Sequence, residues 1–163
     1  MWALCQEWGK RLRLLPSEPH PARVLWAIFR NEQYNEANPE PRLEKSYCPN
    51  GTWFNKVLWD RYGHACAKSY SNFQIMFATA WEHGYHGRPQ DLDDDKVAIR
   101  YVVDLINWRI IRLAQRDDYT VTLGEILDGY NTGNPRDNIV NEAYVKRGTG
   151  YYQESEKRWS VVA

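Results

Sequence analysis

Residues 93–115 read DDDKVAIRYVVDLINWRIIRLAQ, and their periodicity sets the structural class of the chain. Ile99, Val103, Ile106, Ile110 and Leu113 recur every three or four positions, the spacing of one buried stripe on a helix. Asp93, Asp94 and Asp95 precede the stripe, where carboxylates complement the positive end of a helix dipole. The spacing predicts a long helix from about Lys96 to Gln115. The same period recurs on both sides. Trp2, Cys5, Trp8 and Leu12 predict a first helix within residues 1–15, and Pro16, Pro19 and Pro21 a linker after it. Leu25, Ile28 and Phe29 predict a second helix from Ala22 to about Tyr34. It ends at Asn38-Pro39-Glu40-Pro41, because a residue before proline is pushed out of the helical region. Phe73, Met76, Phe77 and Ala80 predict a helix from about Ser71 to Trp81. Thr122 and Glu125 have capping-box spacing ahead of Leu123, Ile126, Leu127 and Tyr130. Ile139, Val140, Ala143 and Tyr144 predict a last helix closed by Gly148. Strand alternation is weak, with mixed signals and an Asn50-Gly51 turn between residues 42 and 68. The expectation is a mainly α single domain over 1–163, with its core at about 22–152 and a small or vestigial β-hairpin in the 42–68 region.

Composition narrows the function classes. Of 163 residues, 43% are hydrophobic and 14% aromatic, enough to bury a core and to exclude a disordered chain. Lys+Arg and Asp+Glu balance at 21 each, so no global positive field points to nucleic acid. No apolar run approaches the roughly 18 residues of a membrane span. The N-terminus has neither an apolar h-region nor a small-residue cleavage site, so synthesis in the cytoplasm without a signal peptide is expected. Cys5, Cys48 and Cys66 are odd in number and not spaced as zinc ligands; reduced thiols are expected, with Cys48 and Cys66 flanking one segment. Eight tryptophans and eleven tyrosines supply flat faces that suit sugars, bases or a core equally.

Three stretches carry candidate chemistry. Glu32, Glu36, Glu40 and Glu44 repeat every four residues, which for any one of them reads as a solvated helix face. Glu32 differs in context: it ends an apolar helix beside Phe29 and Asn31, where a half-desolvated carboxyl stays protonated and can act as a general acid. Ser69-Tyr70-Ser71-Asn72-Phe73-Gln74-Ile75-Met76, followed by Thr79-Ala80 and Gly84-Tyr85, reads on its own as a capped amphipathic helix. Gly129-Tyr130-Asn131-Thr132-Gly133-Asn134 reads on its own as a helix C-terminus.

In this order and spacing the three stretches resemble the lytic transglycosylases of the lysozyme-like superfamily. That family's first motif is an apolar helix ending in Glu, matched by Ala27-Ile28-Phe29-Arg30-Asn31-Glu32-Gln33. Its second, often S-Y-G-x-W-Q-I-M, is matched by Ser69 to Met76, and its third, A-Y-N-A-G, by Gly129 to Gly133. The chain departs from the pattern at Ser71, where the family usually has glycine, and at Gln33, where it usually has serine. The stretch from Glu40 to Lys68 exceeds the minimal bacterial pattern and resembles bacteriophage variants with an E-P-R-like segment.

The resemblance implies a lysozyme-like fold and a glycosidase that cleaves the β-1,4 bond between N-acetylmuramic acid and N-acetylglucosamine in peptidoglycan. It implies no cofactor and no metal. Glu32 would be the sole acid and base: it protonates the leaving oxygen, then takes a proton from the muramic 6-hydroxyl, which closes a 1,6-anhydro ring. Tyr130 would hold Glu32 or the substrate acetamide, Gln74 and Asn131 would shape the cleft, and Ser69 or Ser71 would bond the substrate. The expected setting is a monomeric bacteriolytic endolysin of a bacteriophage, reaching the wall once the inner membrane is breached, or a virion component. Two alternatives stand beside it. A hydrolytic muramidase resembling goose-type lysozymes would need a water-activating carboxylate, for which Asp91, Asp93, Asp94 and Asp95 are candidates. A non-catalytic virion module would bind peptidoglycan without cutting it.

Overall fold

A computed structural model describes residues 1–15, 17, 19–34, 40–111, 120–133 and 141–159, with the side chains of residues 109 and 111 left aside. Pro16, Glu36, Asn38, Pro39, Leu113, Gln115, Asn134, Ile139 and Val140, named above, lie outside them. The described chain is mainly helical with one small sheet. It divides into two compact units, Met1–Asn31 with Val103–Ala163, and Glu32–Val102.

The first unit is built on α2 (Pro21–Glu32), of which residues 21–31 belong to it. Proline is suited to this first position because its missing N–H would have no helical partner. Ala22, Val24, Leu25, Trp26, Ala27, Ile28 and Phe29 are all buried, so α2 is covered on nearly every face. α1 (Trp2–Gly9) stops well short of residue 15, and Gly9 is where it meets α2. A Cβ on Gly9 would lie 2.7 Å from the Ala22 nitrogen. The following chain docks on Asn107, whose Oδ1 accepts from the Arg13 N–H (2.9 Å) and whose Nδ2 donates to the Arg11 carbonyl (2.9 Å).

The long helix expected from Lys96 to Gln115 is α5 (Asp95–Leu105), widening into a π-helical turn over Ile106–Ile111. Ile106 and Ile110 stay buried there. α6 (Leu123–Thr132) has the complete capping box: Thr122 accepts from Glu125 N–H and Glu125 accepts from Thr122 N–H. It ends at Gly133, whose φ of 84° is the left-handed cap conformation that glycine adopts without strain.

The last helix corrects the sequence reading. Gly148 does not close it; α7 runs from Glu142 to Trp159. Gly148 is there for lack of a side chain, since a Cβ would sit 2.7 Å from a Leu127 methyl and 3.1 Å from Asn31 Nδ2. Beyond it α7 is held by polar and aromatic contacts that apolar periodicity does not register. Arg23 pairs with Glu156 (3.0 Å), Tyr152 Oη accepts from His20 N–H (2.7 Å), and Trp159 stacks on Trp2 at 4.8 Å between ring centres.

The second unit holds the sheet, three antiparallel strands in the order β1 (Arg42–Leu43), β2 (Lys68–Tyr70), β3 (Ile75–Met76). Arg42 faces Ser69, and Tyr70 faces Ile75. The hairpin thus joins β2 to β3, rather than lying wholly within 42–68. Between β1 and β2 the chain forms α3 (Lys56–Tyr62), capped by Asn55 Oδ1 accepting from Leu58 N–H (3.1 Å). α4 (Phe77–Glu82) follows β3, and a short 3-10 helix over Pro89–Asp93 leads into α5. A run of edge-on rings packs this unit: Tyr62 on Phe77 (5.0 Å), Phe77 on Tyr85 (6.0 Å) and Tyr85 on Tyr101 (5.1 Å).

Two buried phenols in this unit carry a pH prediction. Tyr70 donates to the Ala65 carbonyl and Tyr85 to the Arg88 carbonyl. Burial first, then the Asp93 charge, pushes Tyr70 up to about 12. Burial and then Asp91 push Tyr85 up to about 12. A phenol raised above its unfolded value of about 10 contributes its stabilisation fully below pH 10 and loses it as pH rises toward 12. Phenolate absorbance should therefore show a late-titrating component from Tyr70 and Tyr85, together with alkaline unfolding. Tyr70→Phe and Tyr85→Phe should each remove one part of the late component, and the double variant both parts. A late component undiminished in the double variant would contradict the assignment.

Candidate active site

Glu32 is the last residue of α2 and is half-buried. Gln33, the first residue beyond the helix, donates from Nε2 to Asn72 Oδ1 at 2.6 Å. Asn72 in turn donates from Nδ2 to Asp95 Oδ2 (2.7 Å) and from its backbone N–H to Asp95 Oδ1 (3.0 Å). The chain leaving Glu32 is thereby tied to the β2–β3 turn, and the turn to the start of α5.

That turn replaces the first part of the helix expected over 71–81, and the reason lies in the backbone. Ser71 and Gln74 have φ of 63° and 49°, a left-handed conformation that no right-handed helix contains. Residues 71–74 close the hairpin, with Gln74 N–H donating to the Ser71 carbonyl (3.1 Å). For a residue with a Cβ such a φ costs about 1–2 kcal/mol, and glycine avoids the cost. Three hydrogen bonds offset it here: Ser71 N–H to Asp93 Oδ1 (3.1 Å), Asn72 N–H to Asp95, and Phe73 N–H to Ser71 Oγ (3.1 Å). Ser71 is thus no helix start.

This gives a substitution test. Ser71→Ala keeps the strained φ and strips the buried Phe73 N–H of its acceptor, so it should cost about 1–3 kcal/mol. Ser71→Gly loses the same acceptor but relieves the φ, so it should cost visibly less. Chemical denaturation of both variants checks this; a Gly variant less stable than the Ala variant would refute the strain argument.

Ser69, Ser71 and Gln74 all come together in the turn. Ser69 Oγ donates to Gln74 Oε1 (2.7 Å), and Gln74 Nε2 donates to the Ser71 carbonyl (2.9 Å). Both serines are buried. Their hydrogen bonds shape the turn, and the half-buried Gln74 is its accessible member. Tyr130 and Asn131 lie in the other unit, on the last turn of α6, the first half-buried and the second exposed. Asn131 Oδ1 accepts from Asn141 Nδ2 (2.9 Å), and Asn141 N–H donates to the buried Asp128 (3.1 Å). In that same unit Asn31 is buried, donating to the Tyr144 carbonyl (2.8 Å) and accepting from Arg147 Nε (3.2 Å).

The four aspartates at and before the start of α5 each have a structural partner. Asp91 pairs with Arg88 (2.7 Å), whose hydrogen bonds hold its carboxyl below the ordinary range. Asp93 and Asp95 hold the turn, and Asp94 accepts from Lys96 N–H (2.9 Å) as an N-cap. Asn72 was not among the site residues expected from the sequence, and Asp95 was expected only as part of a helix start or as a candidate water-activating carboxylate. In the Glu40–Lys68 segment, Phe54 and Trp59 pack on each other (5.9 Å), Tyr47 is half-buried and Trp53 is 66% exposed. Cys5, Cys48 and Cys66 all stand as thiols, and burial, then the neighbouring Cys48, raises Cys66. Among the described residues no group of three His, Cys, Asp or Glu side chains is arranged to hold a metal ion, and no helix is long and apolar enough to cross a membrane. Set against known proteins, the chain matches no family model, no curated protein and no solved structure.

Proposed function

We propose that this protein cleaves the glycan strands of peptidoglycan as a lytic transglycosylase, with Glu32 as acid and then base. The observation that carries the reading is the backbone at Ser71. The family's second motif usually has glycine there, and this chain adopts the left-handed φ that glycine serves best, at the motif position and beside a Gln74 folded into the same turn. A serine with that φ, braced by Asp93, keeps the shape of the motif while departing from its letter.

Glu32 protonates the glycosidic oxygen between N-acetylmuramic acid and N-acetylglucosamine as the anomeric carbon gains oxocarbenium character. The carboxylate so formed takes the proton of the muramic 6-hydroxyl, whose oxygen bonds to the anomeric carbon and leaves a 1,6-anhydro end. Gln74 is the proposed substrate contact in the unit that holds Glu32, with Ser69 and Ser71 supporting it. The partners of the aspartates favour this over hydrolysis: Asp93, Asp94 and Asp95 are occupied with backbone N–H groups, and Asp91, held as a carboxylate by Arg88, is a weak base. The proposed setting is an endolysin acting on the wall of its host.

The test is solubilisation of purified sacculi. Release of soluble glycan fragments supports the reading. Co-sedimentation of the protein with intact sacculi and no release would make it a binding module instead.

A further inference from the structure

Gln33, Asn72 and Asp95 form one hydrogen-bonded line that ends beside Glu32, and all lie in the unit Glu32–Val102. The direction of the line is fixed by chemistry. A carboxylate only accepts, so the Asn72 amide must turn its Nδ2 toward Asp95 and its Oδ1 toward Gln33. Asp95 receives two bonds from this one residue, through Nδ2 and through the backbone N–H. It is also the first residue of α5, where the helix dipole favours a negative charge. The charge on Asp95 polarises the Asn72 amide and makes its Oδ1 a better acceptor for Gln33. Gln33, Asn72 and Asp95 are all half-buried, so water competes poorly for these bonds.

We propose that Gln33 and Asn72, anchored by Asp95, are positioning residues that hold the Glu32 carboxyl in its reacting orientation. The inference rests on Glu32 being the acid and base. Gln33 is the first residue past α2, so fixing it fixes the direction in which the chain leaves Glu32. The relay also occupies the two sites of interest for specificity of sequence: Gln33 stands where the resembled family usually has serine, and Asn72 is the partner that its longer side chain reaches. Asn72 serves two purposes that mutation can separate. Its backbone N–H holds the turn, and its side chain carries the relay.

The experiment measures kcat and KM on sonicated, purified peptidoglycan for Asn72→Ala, Gln33→Ala, the double variant and Glu32→Gln. Asn72→Ala keeps the backbone bond to Asp95 and cuts only the relay; Gln33→Ala cuts it from the other end and serves if Asn72→Ala does not fold. Each single variant should lower kcat about 10- to 100-fold with KM unchanged, because a misplaced acid affects the transition state and not substrate binding. The double variant should be no slower than the slower single variant, since both cut the same line. Wild-type kcat in the relay variants, with Glu32→Gln inactive, overturns the positioning role and leaves Glu32 in place. A raised KM at unchanged kcat, or losses that multiply in the double variant, overturns it as well. Activity retained by Glu32→Gln overturns the assignment of Glu32 and the relay's role with it.

Discussion

Glu32→Gln should reduce peptidoglycan cleavage about 10³-fold or more while leaving the fold intact. One carboxyl is asked to donate a proton to the leaving oxygen and then to accept one from the 6-hydroxyl. An amide of the same shape can do neither. The exchange is nearly isosteric and sits at a half-buried helix end, so thermal unfolding should move by no more than about 0.5 kcal/mol in stability. The comparison of rate with stability is the informative part. A dead but equally stable variant places the chemistry at Glu32. Retained cleavage would move the role to Glu36, Glu40 or Glu44. Of these, Glu40 is exposed and Glu44 is paired with Arg42 at 2.6 Å.

The largest effect on stability is expected from Gly51→Ala. A Cβ at Gly51 would collide with the Ser46 carbonyl oxygen and lie 2.7 Å from that of Lys45. Both are backbone atoms, so no side chain can swing aside. The 3-10 turn over Lys45–Tyr47 must move, and with it the bond from Trp53 N–H to the Ser46 carbonyl (2.8 Å). Overpacking against backbone of this kind should cost about 3 kcal/mol, which lowers Tm by about 6–12 °C in a chain of this size. Gly150→Ala supplies the control. Gly150 lies inside α7 with open space around its Cα, so alanine there should stabilise by about 0.5–1 kcal/mol. Scanning calorimetry of the two variants checks both signs. A Gly51→Ala protein that melts with the wild type would mean that the turn has room the structure does not show.

The two substitutions also mark how far the sequence could be read. Asn50-Gly51 is legible as a turn, and Asn50 indeed has a φ of 72°, but the close approach of the Ser46 carbonyl has no local signal. Where local chemistry fixes the backbone, the reading was specific: Thr122 and Glu125 form the capping box, and Gly133 has the left-handed cap. α2 was legible from the spacing of Leu25, Ile28 and Phe29, although buried residues cover nearly every face of it. Residues 71–76 were misread because Phe73, Met76 and Phe77 satisfy a helical period and still belong to a turn, a strand and the start of α4. The corrective signal was Ser71 itself, a non-glycine where the resembled motif usually has glycine, with Asn72 beside it as a second turn former. Gly148 was misread because glycine in a helix has two causes, an end or a close neighbour, and only the fold tells Leu127 and Asn31 from solvent. Of the candidate site, the residue types were legible and the bonds among them were not. Nothing in the spacing of Gln33, Asn72 and Asp95 announces that they touch.

The chemistry itself is tested by the masses of muropeptides released from purified peptidoglycan, with and without borohydride reduction. The proposed mechanism predicts products roughly 18 mass units lighter than hydrolysed ones and unreactive to borohydride, because the 6-hydroxyl has closed on the anomeric carbon. Full-mass products with reducible muramic ends would contradict it, making water the nucleophile and the enzyme a lysozyme.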